Sequence, residues 1–327
     1  MKTTPRVSVC VPVYNGAAWL RECLESAVSQ QVDGLDVVVV DDCSQDESLA
    51  IAQEFADRDS RVTVQRNPER LGLVRNWNRC LGLAHGEWIK FLFQDDLLHP
   101  ECLTRMVGAA GAGVPLIVCD RRLDFQPDCS EGIRRHFAEL PTLTSLLGGS
   151  DTLSATGVSQ ILCDYLGLNV FGEPTSFLLH RDEVPTYGPF NEEMVQLCDL
   201  EFWARVGSNT GLVHIPEELV TFRIHGSSAT AANSAHGFRK DVLDMLVLLH
   251  EFAFSPAFAG LRDTGRQSDP PVDFSVLAAR ELDRSVRDAR SSDDPYVQNA
   301  LDQVIAAHPK LRRRLWRLWH RVRKHLK

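Results

Sequence analysis

The sequence predicts an α/β protein with a mostly parallel sheet flanked by helices, followed by a C-terminal helical region. Three observations lead there. Short β-branched runs are nearly continuous in hydrophobicity, as strands buried on both faces should be. Helical stripes lie between them, and strand–helix alternation implies parallel crossovers. Polar residues follow directly after each run, where such sheets bind ligands.

Each element has its own signal. The candidate strands of the first 120 residues are VSVCVPV (7–13), LDVVVV (35–40), RVTVQ (61–65), WIKFLF (88–93) and PLIVC (115–119). Between the first two, Trp19, Leu20, Cys23, Leu24, Ala27 and Val28 form one apolar stripe. SQDE (44–47) places Glu three residues after Ser, a capping-box pattern that predicts a helix over about 45–58. Leu73, Trp77, Cys80, Leu81 and Ala84 make a third stripe. Further on, PTSFLLH (174–180) reads as a strand and NEEMVQLCDLEFWARVG (191–207) as a helix. In LVTFRIH (219–225), Val220, Phe222 and Ile224 alternate with Thr221, Arg223 and His225, which places the two sets on opposite faces. From about 237 the chain reads as helical, with a polar, Pro-containing break near 264–271. VLDMLVLLHEFAF (242–254) carries Asp244, His250 and Glu251 and reads as a buried helix. These patterns divide the chain into a sheet domain, 1–236, and a helical region, 237–327.

Composition narrows the class. At 327 residues and 44% hydrophobic content the chain can bury a sizeable core. Nine cysteines without CxxC spacing argue against a disulfide framework or a zinc module and point to a reducing compartment, the cytoplasm. No stretch reaches the roughly 18 apolar residues of a membrane span. The N-terminal stretch lacks the apolar segment of a signal peptide. Neither GxGxxG nor GxxxxGK[ST] is present.

The strand ends hold the chemistry. They read YN (14–15), DD (41–42), RN (66–67), QDD (94–96) and DRR (120–122). Two adjacent carboxylates repel, so two such pairs on one sheet edge suggest a site that needs negative charge. Mg²⁺ and Mn²⁺ prefer oxygen ligands, and Mg²⁺ is held by one or two carboxylates plus substrate phosphates. Asp95 and Asp96 suit a metal–diphosphate complex. The competing reading is solvated turn residues, since Asp is favoured in turns.

Four segments together resemble the family 2 glycosyltransferases, which have the Rossmann-like GT-A fold. They are VSVCVPVYNGAAWLRECLESAVSQ, VVVVDDCSQDES, NPERLGLVRNWNRCLGLAHGEWIKFLFQDD and CDLEFWARVG, and the resemblance spans about residues 6–226. It implies inverting transfer of a sugar from a nucleotide-diphosphate donor to a hydroxyl acceptor. Pro12, Tyr14 and Asn15 match the opening nucleotide-binding motif. Asp42 matches the acid that reads the base edge, and Asp41 precedes it. By the same resemblance Asp96 binds Mn²⁺ or Mg²⁺, Asp95 contacts the donor's ribose or sugar, and Asp199 is the catalytic base. Phe93 stands where the family often has another acid, and Cys198 where it often has Glu. The QxxRW signature of processive synthases is absent, so no polymerising activity is expected.

Other residues were weighed on their own chemistry. Asp199 shares a helix face with Phe202 and Trp203, and an apolar neighbourhood would raise its basicity. A plain helix N-terminal Asp is the alternative. Arg223 and His225 share a strand face and are candidates for the diphosphate and the metal. Arg75, after Gly72, is a candidate for the phosphates, and Glu173, before Pro174, for the acceptor site. For each of these an exposed structural role competes.

The net charge of −9 conceals an asymmetry. Residues 308–327 hold nine Lys/Arg and no acid, so the rest of the chain carries −18. In the tail Leu311, Leu315, Leu318, Trp319, Val322 and Leu326 form an apolar stripe opposite Arg and Lys. This basic amphipathic helix suits an anionic membrane surface, which a lipid-linked acceptor would make useful. Packing on the acidic body is the alternative. The expected partners are thus a nucleotide-sugar donor, a saccharide or lipid-linked acceptor and an anionic membrane, with no nucleic acid. The expected place is the cytoplasm, peripheral on the membrane face, in cell-surface polysaccharide or glycolipid synthesis. The rival functions are a sugar nucleotidyltransferase, disfavoured by the absence of a basic Gly-rich loop after the first strand, and a non-catalytic nucleotide-binding protein of the same fold.

Overall fold

A computed structural model describes residues 6–110, 113–148, 151–226, 243–291 and 295–311. The chain opens with β1 (Val7–Val13), α1 (Ala17–Val28), β2 (Leu35–Asp41), α2 (Ser48–Arg58), β3 (Val62–Arg66), α3 (Leu73–Leu83) and β4 (Trp88–Phe91). It continues through β5 (Leu97–Leu98), α4 (Cys102–Ala109), β6 (Leu116–Phe125), α5 (Glu131–Glu139), α6 (Leu143–Leu147), β7 (Thr152–Leu153) and α7 (Ala155–Asp164). Then come β8 (Phe177–His180), α8 (Glu183–Tyr187), α9 (Cys198–Thr210) and β9 (Leu212–Ile224). The C-terminal helices are α10 (Met245–Phe254), α11 (Ala259–Gln267), α12 (Phe274–Ser291) and α13 (Pro295–Ala307).

All nine strands form one sheet, ordered β3-β2-β1-β4-β8-β6-β9-β5, with β7 against β9. The β3-β2-β1-β4 half is parallel. β8 runs antiparallel to both β4 and β6, so the sheet as a whole is mixed. Chain order runs outward from β1 to β3, then returns through α3 to place β4 on the other side of β1. That reversal opens a crevice beyond the carboxyl ends of β1 and β4.

The near-continuous apolar runs are explained by burial of both sheet faces. Val9, Val11, Val37 and Val39 face α1, α2 and α4. Cys10, Val38, Val40, Ile89 and Phe91 face the other way, towards α3, α7 and α9. Val247, Leu248, Phe252 and Phe258 of the C-terminal region join that second core. The helical region therefore packs on the sheet domain, while Leu246, Leu282, Ala289, Leu301 and Leu311 form a smaller cluster among its own helices. The boundary expected near 236 and nearly all of the basic tail lie outside the described residues.

Several expected limits move. β6 and β9 are longer than predicted and pair in parallel through a bulge near Asp120, so the DRR segment is strand rather than loop. Residues 174–176 form a 3₁₀ turn before β8. The helix expected over 191–207 begins only at Cys198. α2 starts at Ser48 without a capping box, because Ser44 and Ser48 accept the backbone N–H groups of Asn15 and Gly16 instead. These hydroxyls tie the β1–α1 loop to the β2–α2 loop.

Candidate functional site

A cavity of about 540 Å³ fills the crevice. Each wall comes from a strand end or helix start: Pro12 near the end of β1 and Tyr14 after it, Asp42 after β2, Phe93, Gln94 and Asp95 after β4, and Asp199 from α9. Glu173 and Arg223 complete the lining among the predicted residues.

The end of the cavity at β1 and β2 is densely hydrogen-bonded. Tyr14 N–H donates to Gln94 Oε1 at 2.9 Å, and Gln94 Nε2 donates back to the Tyr14 carbonyl at 3.2 Å. The Arg70 guanidinium lies 4.0 Å over the Tyr14 ring. Asp42 accepts from Leu71 N–H (2.7 Å), Gly72 N–H (2.8 Å) and Asn67 Nδ2 (2.8 Å). Gly72 has φ +85°, a conformation that glycine adopts without strain and that lets the loop wrap its amides around the carboxylate.

Five predicted residues do not line the cavity: Asp41, Asn15 and Arg75, and also Asp96 and His225, which lie buried next to Asp95. Asp41 is fully buried, pairs with Arg66 at 3.4 Å and accepts from Ser44 N–H. Asn15, at φ 49°, is exposed and accepts from Gln45 N–H through Oδ1. Both brace the loops behind Tyr14 and Asp42. Arg75 is exposed and pairs with Glu192 at 3.0 Å.

The acidic pair after β4 divides. Successive residues leaving a strand point to opposite sides. Asp95 lines the cavity, and its Oδ2 lies 3.0 Å from His225 Nε2. Asp96 is fully buried beneath it, accepting from Thr175 Oγ1 (2.5 Å) and Arg223 N–H (3.1 Å). Burial, then the charge of Asp95, pushes the Asp96 carboxyl well above the ordinary range. The residue expected to hold a cation directly is therefore an internal brace, and the accessible acid is its neighbour. Thr175 is in turn fixed by Lys90, whose buried Nζ donates to the Thr175 carbonyl at 2.5 Å. Phe93, in place of a further acid, stacks on Trp77 at 4.7 Å and gives the cavity an aromatic wall.

Asp95 and His225 suit a divalent cation. Ligands at 2.0–2.1 Å in octahedral geometry sit about 3 Å apart, which matches their separation of 3.0 Å. Oxygen plus imidazole is a donor set for Mn²⁺ or Mg²⁺ completed by phosphate oxygens. Arg223 stands beside them on β9, ion-paired with Glu22, with its guanidinium 5.0 Å over Trp19. Its buried Nη1 has no hydrogen-bond partner among the described residues, so it can serve an anionic ligand.

Across the cavity lies Asp199, in the first turn of α9. Asn169 Nδ2 donates to its Oδ2 at 2.9 Å and Leu200 N–H to its Oδ1 at 2.7 Å. Burial raises its pKa to about 7, only partly opposed by the Leu200 N–H and aided by the charge of Glu173. Glu173 forms an ion pair with Arg121 at 2.6 Å. Such a carboxylate accepts a proton near neutrality.

Sequence reading missed Arg70, Asn169, Thr175 and the role of Arg121. Arg121 belonged to the DRR segment and Arg70 to the NPERLG segment, so each had a polar signal. Asn169 and Thr175 had none, because they act from loops whose path the tertiary packing sets.

Comparison with known proteins completes the picture. Residues 8–165 match the family model described as glycosyl transferase family 2. An uncharacterized protein of Mycobacterium tuberculosis is 32% identical over 243 residues, covering 73% of each chain. The crystal structure of S. aureus TarS 1–349 in complex with UDP-GlcNAc shares the fold at a TM-score of 0.61 and 17% identity, covering 93% of this chain and 82% of that one. The mannosyltransferase PcManGT from Pyrobaculum calidifontis, in complex with GDP-Man and Mn²⁺, does so at 0.54 and 17%, covering 95% and 88%. With the family model matched over residues 8–165 and the fold shared with these solved structures, the chain belongs to glycosyl transferase family 2 and is a glycosyltransferase of the GT-A fold.

Proposed function

We propose that this enzyme transfers a sugar from a nucleoside-diphosphate donor to a hydroxyl acceptor with inversion. One observation carries the reading: Asp199, a carboxylate whose pKa burial lifts to about 7, lines one cavity with Asp95, and His225 stands 3.0 Å from Asp95. The solved complexes of TarS and PcManGT with nucleotide-sugars support a donor of that class.

In this reading the Tyr14 ring, backed by Arg70, offers a stacking surface to the donor base, and Asp42 accepts a hydrogen bond from its edge. Asp95 and His225 would hold Mn²⁺ or Mg²⁺ together with the diphosphate. The cation, when bound, supplies positive charge that neutralises the departing diphosphate. Arg223 adds a fixed cationic group on the same side. The acceptor oxygen attacks the anomeric carbon, its proton passes to Asp199, and the bond to the diphosphate oxygen breaks on the opposite face. Asn169 and Leu200 N–H aim the Asp199 carboxylate. Glu173, held by Arg121, borders the acceptor side. The basic tail brings a lipid-linked acceptor within reach at the cytoplasmic membrane face, as cell-surface polysaccharide or glycolipid synthesis requires. No helix among the described residues is long and apolar enough to cross a membrane.

A panel of nucleotide-sugars, with and without Mn²⁺, tests the reading. One donor should turn over in a metal-dependent way, with the product's anomeric configuration opposite to the donor's by NMR. Nucleoside-diphosphate binding indifferent to Mn²⁺, with no turnover of any donor, would overturn it in favour of a non-catalytic binder.

A further inference from the structure

A second cluster of metal-ligand side chains lies outside the cavity, where the C-terminal helices meet the sheet domain. His250 and Glu251 come from α10, and His308 follows α13. One ligand atom from each lies within 4.8 Å of the other two. A fourth group, Glu193, arrives from the loop before α9, with its Oε2 2.9 Å from His308 Nε2. His250 Nδ1 is 2.9 Å from Glu251 Oε1, and the two imidazole rings are 4.2 Å apart, centre to centre.

We propose that His250, Glu251, His308 and Glu193 form a structural zinc site that fastens the C-terminal helices to the loop leading into α9.

The chemistry favours a cation. The two rings lie too close for both to be protonated cheaply. Two imidazoles and two carboxylates gather negative charge at a junction buried except on the Glu193 side. His250 and His308 are only 12% and 9% exposed at their side chains. A divalent ion neutralises that charge and satisfies the donors at once. His250, His308 and Glu251 supply two nitrogens and one oxygen within reach of one another, and Glu193, already against His308, would complete the four-coordinate set that zinc takes. Separations up to 4.8 Å exceed those of a tetrahedral site with bonds near 2.0–2.2 Å, so the side chains draw inward on binding. The site differs from the Asp95–His225 corner, which is built for a hard cation sharing phosphate oxygens.

The consequence reaches the cavity. Glu193 stands two residues before Val195 and three before Gln196, both of which line it. Zinc at this junction fixes the loop that precedes Asp199.

The test uses the full chain, free of any affinity tag and stripped with chelator, titrated with ZnCl₂ by calorimetry. One tight zinc equivalent is expected, with a rise in Tm that chelator reverses. Co²⁺ should give the intense visible bands of tetrahedral coordination. His308→Ala and His250→Ala should weaken zinc binding by more than the roughly 10- to 100-fold that loss of an outer-shell partner costs. Glu193→Gln, at a half-exposed side chain, tests the same site where either His variant fails to fold, and should weaken binding. Asp95→Asn should leave this zinc equivalent intact. No zinc uptake by the wild-type chain overturns the proposal. So does uptake that survives loss of His250, His308 and Glu193 but disappears with Asp95.

Discussion

Asp199 is a carboxylate whose proton affinity is set by its surroundings. Burial lifts its pKa from the ordinary 3.8 to about 7. A general base works only when deprotonated, so kcat/KM should rise with pH through about 7 and level off above it. The same shift opposes folding as pH rises, because the folded chain binds the proton more tightly than the unfolded one. Asp199→Asn should lower kcat about 10²- to 10⁴-fold and remove the acid limb of the profile. Calorimetry should show the nucleoside diphosphate still bound. A retained limb near 7 would assign it to another group. Asp95 and Asp96 make the second residue-scale case. Asp95→Asn should abolish Mn²⁺ dependence. Asp96→Asn should keep it, since a neutral amide can still accept from Arg223 N–H and meet Thr175. Asp96→Ala should instead cost about 1–3 kcal/mol in urea unfolding, by leaving those two partners unmatched. Loss of metal dependence in Asp96→Asn with Asp95→Asn unaffected would restore the assignment the sequence suggested. The sequence displayed both acids at a strand end. It could not show which faces the crevice, because one residue of register exchanges the two.

At the scale of elements, β1, β2 and β4 were legible because burial on both sides leaves mostly apolar residues. Helix starts were less so. The pattern over 191–207 is amphipathic throughout, yet α9 begins at Cys198. The cause lies 49 residues away in the chain. Asp244, fully buried at the start of α10, accepts through Oδ2 from the N–H groups of Val195 (2.8 Å), Gln196 (2.5 Å) and Leu197 (3.1 Å). Those amides converge on one carboxylate rather than continuing a helix, which local propensity cannot foresee. The capping-box pattern at 44–47 failed for the same reason, since its Ser hydroxyl serves another loop. Asp244 thus positions the turn from which Asp199 projects. Asp244→Ala should cost about 3 kcal/mol or more, as several buried donors lose their partner. Asp244→Asn retains one acceptor oxygen and should fold. It should lower kcat about 10- to 100-fold through misplacement of Asp199, with KM for the donor little changed. An unchanged kcat in a folded Asp244→Asn variant would reduce the contact to a purely structural one.

For the whole molecule the governing feature is charge. The body carries −18 and residues 308–327 carry nine cations, so an extended tail and an anionic surface attract while body and surface repel. Each Lys or Arg near a phosphatidylserine-rich surface is worth about 1 kcal/mol. If the tail meets such a surface, Leu315, Trp316, Leu318 and Trp319 would add apolar area to the contact. Body repulsion acts over a screening length of about 8 Å at physiological salt and 3 Å at 1 M, as does the attraction of the tail. Concentration of nine cations in 20 residues, against −18 spread over the other 307, favours net attraction at physiological salt. The full chain should therefore sediment with vesicles containing phosphatidylserine and not with purely zwitterionic ones. High salt should release most of it, and a chain ending at Leu311 should stay in the supernatant with its turnover of soluble acceptors intact. The opposite arrangement, with the tail folded onto the acidic body, has a different signature. Truncation would then lower Tm, added salt would destabilise the full chain towards the truncated one, and neither form would bind vesicles. Vesicle binding that survives the truncation would move the membrane contact to the body, against its charge.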